Sequence, residues 1–397
     1  MAGPLDGYRV IDLTTMIAGP LATMMLADQG ADVIKVEPPV AGDHVRGAGH
    51  GGTGLTATFL NNNRNKRSIT LDLKTEQGRD ALLRLAATAD VFVQNFRPGV
   101  VERLKIAVED IREVAPQIIY VSMSGFGERG PWAHKPVYDP IVQALSGLTT
   151  IQAGSDEAQP RLVRTILPDK LTGVKGAQAI TAALLARAKS GEGQHVRLSM
   201  LDAIIAFLWS SDMGGQTFVG KEVSAQRAAT FIDLIYATKD GYISVATMAN
   251  KQWQGLCNAT EHPEWLDDER FRTASLRDQN ADARLRLVQS ALLEKTADEW
   301  LEILEEAGVP CAPVLKRMEM IRHPQVEASE IIIETEHPNV GNLRQARPAA
   351  RFEGTPTEIR RGAPLLGEHT DEILTELGMS NGEIASLREQ GVINTIN

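Results

Sequence analysis

The strongest constraint on the fold is an exchange, through the first half of the chain, of short apolar runs with longer amphipathic stretches. Residues 8–13, 32–36, 68–71, 90–94 and 117–121 are apolar, bounded by turn residues and too short for helices, so they read as buried strands. Between them, 19–26 and 75–87 carry helical spacing, with Thr75 placed to cap the second. A parallel neighbour needs a crossover, and a helix is the usual one, so this alternation predicts an α/β fold with a parallel sheet. A long helix over 170–189, a strand over 194–198 and a helix capped by Ser199 continue the pattern.

Near Gly214-Gly215 the character changes. Residues 232–245 read as a hairpin around Lys239-Asp240-Gly241, followed by helical stretches at 250–257, 281–295 and 297–307. The expected division is a large domain over 1–215, a smaller α+β domain over 225–325, and a segment 330–397 of strands and then two short helices. Residues 42–65 are rich in Gly and Asn and read as a long loop, a kind of segment that is often functional.

The chain holds 41 Lys and Arg against 51 Asp and Glu, a net charge of -10, so it lacks the cation excess that drives general nucleic-acid binding. No apolar run is long enough to span a bilayer, and the N-terminus lacks a basic start followed by an apolar stretch, so a cytoplasmic protein is expected. Cys257 and Cys311 belong to no metal or redox spacing. HExxH, GxSxG and Walker A patterns are missing, and no metal is expected. Gly47-Ala48-Gly49-His50-Gly51-Gly52 matches GxGxxG but stands about ten residues beyond the nearest strand, with Pro38 and Pro39 between. A dinucleotide site needs the strand, the glycines and the helix joined directly, so a loop is the better reading.

Three segments carry candidate chemistry. Residues 61–67 form a polar, basic run, either a solvated loop or a phosphate site. Asn95-Phe96-Arg97-Pro98-Gly99 follows a strand directly, where α/β folds place ligands, though it also reads as a simple turn. Asp169 stands just before the long helix. By composition it is an N-cap, and the helix dipole would keep its carboxylate ionised.

Together these pieces resemble the class III CoA-transferases, the superfamily of formyl-CoA transferase, carnitine CoA-transferases and 2-methylacyl-CoA racemase. The resemblance runs through Pro4-Leu5-Asp6-Gly7, Ala18-Gly19-Pro20, residues 26–37, Asn65-Lys66-Arg67-Ser68, Leu71-Asp72-Leu73-Lys74, Asn95-Phe96-Arg97-Pro98-Gly99, Tyr138-Asp139, residues 143–147, Asp169, Gly193-Gln194 and residues 199–203. It implies a Rossmann-like large domain built from both chain ends, a smaller inserted domain and an intertwined homodimer. The implied substrates are an acyl-CoA and a free carboxylic acid; CoA enters as substrate and no further cofactor is implied. Carried over by motif, Ile17 and Ala18 would line the acyl and pantetheine end. Leu71, Asp72, Leu73 and Lys74, with Asn95, Phe96 and Arg97, would flank the nucleotide, and Arg103 matches a family arginine. Lys135, Pro136, Val137 and Tyr138 would approach the phosphates or pantetheine. Asp169 matches the nucleophile, which forms a mixed anhydride.

Three departures refine the expectation. Pro38 replaces an arginine that often follows the second strand, and Ile17 replaces the glutamine of formyl-CoA transferase, which favours a larger or less polar acyl group. In the small domain, Thr247-Met248-Ala249-Asn250 stands where some relatives carry a glycine-rich loop. The racemases place a histidine directly before the aspartate of the Tyr138-Asp139 pair. Tyrosine, with a pKa of about 10, is a poor base at neutral pH, which favours transfer over racemisation. Arg46, on the glycine-rich loop over 42–65, reads either as a cation for an acidic acceptor or as a solvated loop arginine.

Overall fold

The apolar runs of the first half pair side by side. A computed structural model describes residues 3–47, 54–223 and 234–394. In it, β1 (Arg9–Asp12), β2 (Asp32–Glu37), β3 (Lys66–Thr70), β4 (Val91–Gln94), β5 (Ile119–Ser124) and β6 (His195–Ser199) form one sheet. The order is β3-β2-β1-β4-β5-β6, and each neighbouring pair is parallel. Adjacent residues of a strand enter opposite cores: Val10, Val33 and Val91 pack on one face, Ile11, Ile34 and Phe92 on the other. Burial on both faces explains why these strands read as continuous apolar runs.

Between the strands the chain forms α1 (Ala18–Asp28), α2 (Ala57–Asn63), α3 (Glu76–Ala86), α4 (Val100–Leu104), α5 (Val108–Val114), α6 (Asp139–Leu145), α7 (Leu148–Ala153) and α8 (Leu167–Ser190), and α9 (Met200–Leu208) follows β6. Leu26 of α1 and Ile180 of α8 share the first core, while Leu82 of α3 joins the second with Ile373 and Leu387 from the C-terminal helices Thr370–Glu376 and Asn381–Glu389. Thr75 caps α3 by accepting from the Gly78 N–H, and Ser199 caps α9 by accepting from the Asp202 N–H.

The chain divides into two units. The first comprises Met1–Thr149, Arg161–Gly214 and Glu330–Asn397, and the second Thr150–Pro160 and Gly215–Ser329. Within the second, β7 (Ile235–Ala237) and β8 (Tyr242–Val245) form the expected hairpin, and β8 also pairs antiparallel with β9 (Cys311–Pro313) around a core of Trp253, Phe271 and Trp300. Residues 232 and 233 of the expected hairpin lie outside the described residues. In the first unit, β10 (Ile332–His337) and β11 (Gly341–Ala346) form an antiparallel pair.

Residues 42–65 are not one loop. A turn at His44–Arg46 and the helix α2 interrupt them, and Thr56 caps α2 by accepting from the Phe59 N–H. Phe59 is fully buried, and its burial outweighs the poor helix propensity of the three asparagines that follow. The GxGxxG match falls on 47–52, of which only Gly47 is described. No helix of the described residues is long and apolar enough to cross a membrane, and none of their His, Cys, Asp and Glu side chains cluster in threes to hold a metal. Both cysteines are free thiols.

Candidate active site

Ligands of open α/β sheets bind beyond the strand C-termini, where the strand order reverses. Here the reversal falls between β1 and β4, and a cavity of about 620 Å³ opens there. Thr15 and Met16 leave β1 into its wall, Asn95, Phe96 and Arg97 leave β4, and Ser124, Gly125 and Phe126 leave β5.

Buried charges hold the β1 wall. Lys66 donates to Asp12 at 2.9 Å, to Asn63 Oδ1 at 2.8 Å and to the Pro20 carbonyl at 2.9 Å. Lys35 donates to the Thr14 carbonyl at 2.7 Å and pairs with Asp43 at 2.9 Å. Burial pushes the Asp12 carboxyl up, but Lys66 and Lys35 outweigh it and hold the group well below the usual carboxylate range. Burial lowers Lys66 to about 8, with Asp12 opposing it. Asp43 also accepts from the Met16 N–H at 3.0 Å. Thr15 and Asn95 exchange two hydrogen bonds, at 3.0 and 2.9 Å. Met16, held between these ties, has φ 70°, a left-handed conformation that costs a side-chain-bearing residue energy and persists only where its surroundings enforce it.

This network corrects two expectations. The basic run 61–67 is neither a solvated loop nor open to phosphate. Arg64 and Asn65 bind Asp28, Lys66 binds Asp12, and Arg67 binds Asp32, Glu372 and Glu376. Arg46 does not wait for an acidic acceptor: it is buried, forked onto Glu37 at 2.7 and 2.8 Å, and stacked over the Phe59 ring. Alternating charges inside a fold look the same in sequence as a polar surface.

Asp169 lines the cavity from the first turn of α8. It is not the cap. The helix begins at Leu167 behind Ile166, so Asp169 is its third residue. Its carboxylate has no hydrogen-bond partner among the described residues, while its own N–H donates to Asp139 Oδ2 at 3.1 Å. Asp139 is buried, and its Oδ1 accepts from Gln143 at 2.6 Å. Burial, reinforced by the Asp139 charge, raises Asp169 to about 6.

Of the residues singled out by sequence, Ala18, Asn95, Phe96, Arg97, Lys135, Val137, Tyr138 and Asp169 line this one cavity. Ile17 is buried at the start of α1, and Pro136 is exposed between two lining residues. Leu71 is packed in the core and Lys74 is exposed, with Asp72 accepting from the Lys74 N–H and Leu73 packed against the core, all beyond the edge strand β3. Arg103 is exposed on α4. None of these line the cavity. His44, Met123, Thr172 and Met200 do, and sequence reasoning missed them; Met123 could have been found from its place near the end of β5.

The fold and site define a doubly wound α/β protein that offers a free, half-buried carboxylate to a ligand at its switch point. The sequence matches CoA-transferase family III over residues 5–370. It is 35% identical over 397 aligned residues to succinyl-CoA:glutarate CoA-transferase of Homo sapiens, covering 98% of this chain and 90% of that protein. It is 36% identical to acetyl-CoA:oxalate CoA-transferase of Acetobacter aceti, covering 92% of this chain and 94% of that one. The crystal structure of a CaiB/BaiF family protein from Brucella suis superposes with a TM-score of 0.83 at 32% identity, over 95% of this chain and 100% of that one. The chain belongs to CoA-transferase family III and is an enzyme that transfers CoA.

Proposed function

We propose that the chain moves CoA from an acyl-CoA to a free carboxylic acid, with Asp169 as the nucleophile. The carrying observation is the Asp169 carboxylate, unpartnered and raised to about 6, on the wall of the switch-point cavity. Attack of its oxygen on the thioester carbonyl forms an acyl–aspartyl anhydride and releases CoA as thiolate. The thiolate and the acceptor carboxylate then exchange acyl partners through further Asp169-bound species, regenerating the carboxylate. Covalent catalysis divides the exchange into easier steps, and one thioester replaces another.

Ala18, Asn95, Phe96, Arg97, Lys135, Val137 and Tyr138 would hold CoA beside Asp169, with the cations Arg97 and Lys135 suited to its phosphates. The relatives named for glutarate and oxalate support dicarboxylic acids as the acid class. A homodimer is the proposed assembly. Incubation with acyl-CoA, hydroxylamine trapping and mass spectrometry is expected to mark Asp169, and Asp169→Ala is expected to abolish exchange of labelled CoA between acids. Wild-type exchange in that variant would refute the assignment. His44 on the same cavity wall keeps one rival testable: deuterium uptake at the acyl α-carbon without transfer would indicate racemisation.

A further inference from the structure

A chain of side chains links three adjacent strands, from the start of β6 through β5 to the C-terminal end of β4. Ser122 Oγ of β5 lies 2.8 Å from His195 Nε2 of β6. Gln94 of β4 donates from Nε2 to Ser122 Oγ at 3.0 Å, and its Oε1 accepts from the Phe96 N–H at 2.8 Å. Phe96 lines the cavity, and its neighbour Asn95 clamps Thr15 on the β1 wall. Hydrogen bonds therefore run from β6 to the Phe96 peptide, and the preceding residue, Asn95, ties the same turn to β1.

The two links nearest the cavity have a fixed direction. A backbone N–H can only donate, so Gln94 must present its oxygen to Phe96 and its amide nitrogen to Ser122. A flipped amide would set two donors face to face. Ser122 Oγ accepts from Gln94 and still has a proton to give, and the arrangement we assign sends that proton to His195 Nε2, leaving a neutral ring protonated on Nδ1. That Nδ1 is buried without a protein partner. The surroundings agree: Tyr120 packs edge-on at 5.1 Å, and burial lowers the imidazole, with Arg197 and Arg112 adding to it against Glu128 and Glu109.

We infer that Gln94, oriented by Ser122 and a neutral His195, is a positioning residue that sets the Asn95–Arg97 turn for acyl-CoA. This rests on the reading of the cavity as the CoA site. Gln94 touches no reacting atom; it acts through the Phe96 peptide. Loss of the link loosens a wall that contacts bound CoA in ground and transition state alike, so it weakens binding more than turnover.

The test uses the full-length protein, with steady-state transfer kinetics and ¹⁵N NMR of His195. Gln94→Leu and Ser122→Ala are expected to raise KM for acyl-CoA about tenfold with kcat within about twofold. Gln94→Glu restores an acceptor for Phe96 and is expected to return KM close to wild type. Its second oxygen takes the Ser122 proton, so His195 switches from the Nδ1–H to the Nε2–H tautomer. An unchanged KM in both Gln94→Leu and Ser122→Ala, or an Nε2–H tautomer in the wild type, overturns the inference. A drop in melting temperature shared by all three variants with no change in KM assigns the chain a structural role only, and also overturns it. A wild type that transfers no CoA defeats the reading of the cavity instead, and is distinguished because it is seen before any variant is made.

Discussion

Replacing Asp139 by Asn tests the electrostatics of the site directly. Two causes raise Asp169 from 3.8 to about 6, burial first and the Asp139 charge second. The sum is about two pH units and burial is the larger part, so Asp139 supplies less than about one. For a group titrating at about 6, the ionised fraction at pH 5 is about 0.1; lowering the group by one pH unit brings it to about 0.5. The ratio of kcat/KM for acyl-CoA at pH 5 to its plateau above pH 7.5 is therefore expected to rise from about 0.1 to no more than about 0.5 in Asp139→Asn. A less basic carboxylate is also a weaker nucleophile, so the plateau falls while the acid limb moves down, and the two profiles cross. CoA phosphate groups titrate near pH 6 as well, but identically for both enzymes, so the difference carries the test. Asn at 139 sets its amide NH2 against one of two donors, Gln143 Nε2 or the Asp169 N–H, and a loss of about 1 kcal/mol in stability is expected by thermal melting. An acid limb that stays in place or moves upward in a folded Asp139→Asn would refute the reasoning.

Asp169→Asn is expected to be inactive yet more stable than wild type at pH 7, by about 1 kcal/mol after allowing for partial solvent screening. The sign follows from linkage: the folded state holds the proton more tightly than the unfolded state, so stability falls as pH rises from 3.8 to about 6, and the advantage of the variant vanishes by pH 4 in melting experiments. Lys66→Met removes one of the two cations that hold the buried Asp12 carboxylate, leaving Lys35 and the Thr14 and Thr23 hydroxyls, and a loss of about 3 kcal/mol is expected in urea unfolding. Gly173→Val sets a Cβ 2.9 Å from the Ala18 carbonyl and 2.9 Å from Leu21 Cδ2, forcing α8 off α1; a loss of about 2 kcal/mol or more and a severe fall in transfer rate are expected, because Asp169 lies one turn away.

Most of the sheet was legible because its strands from β1 to β5 are buried on both faces and carry little compromise between core and solvent. Ile11 and Val10 both had to be apolar, so a short run announced the strand. β3 begins two residues before its apolar run because it opens with Lys66 and Arg67, whose charges are buried against partners far away in sequence. Only the folded chain supplies Asp12, Asp32 and Glu376, so no local pattern could mark those cations as interior. The same limit hid α2 behind its asparagines and left Arg46 between a ligand and a solvated loop, when it is buried against Glu37. Asn95 to Arg97 were found because the strand before them is plain, and ligands gather where parallel strands end. Gln94, Ser122 and His195 were not, since a register across three strands is invisible along the chain.

The position of Asp169 inside the first turn, rather than at the cap, matters for the chemistry. A capping carboxylate is stabilised as an anion by backbone N–H groups, and that stabilisation must be given up when the oxygen acylates. Asp169 has no such bonds, and burial and Asp139 both disfavour its charge. Acylation removes the charge, so the interactions that raise the pKa also favour the adduct. Each pH unit by which the carboxyl is raised contributes up to about 1.4 kcal/mol to that preference before solvent screening is allowed for. A group titrating at about 6 is still about nine-tenths ionised at pH 7, so little reactive form is lost. Placing a second carboxylate behind the first thus acts as a spring released by acylation, at a cost in stability that function permits. The same reasoning fixes what Asp139 may be replaced by: Asn weakens the spring, whereas a cation at that position would lower Asp169 and hold it as a stable, poorly reactive anion.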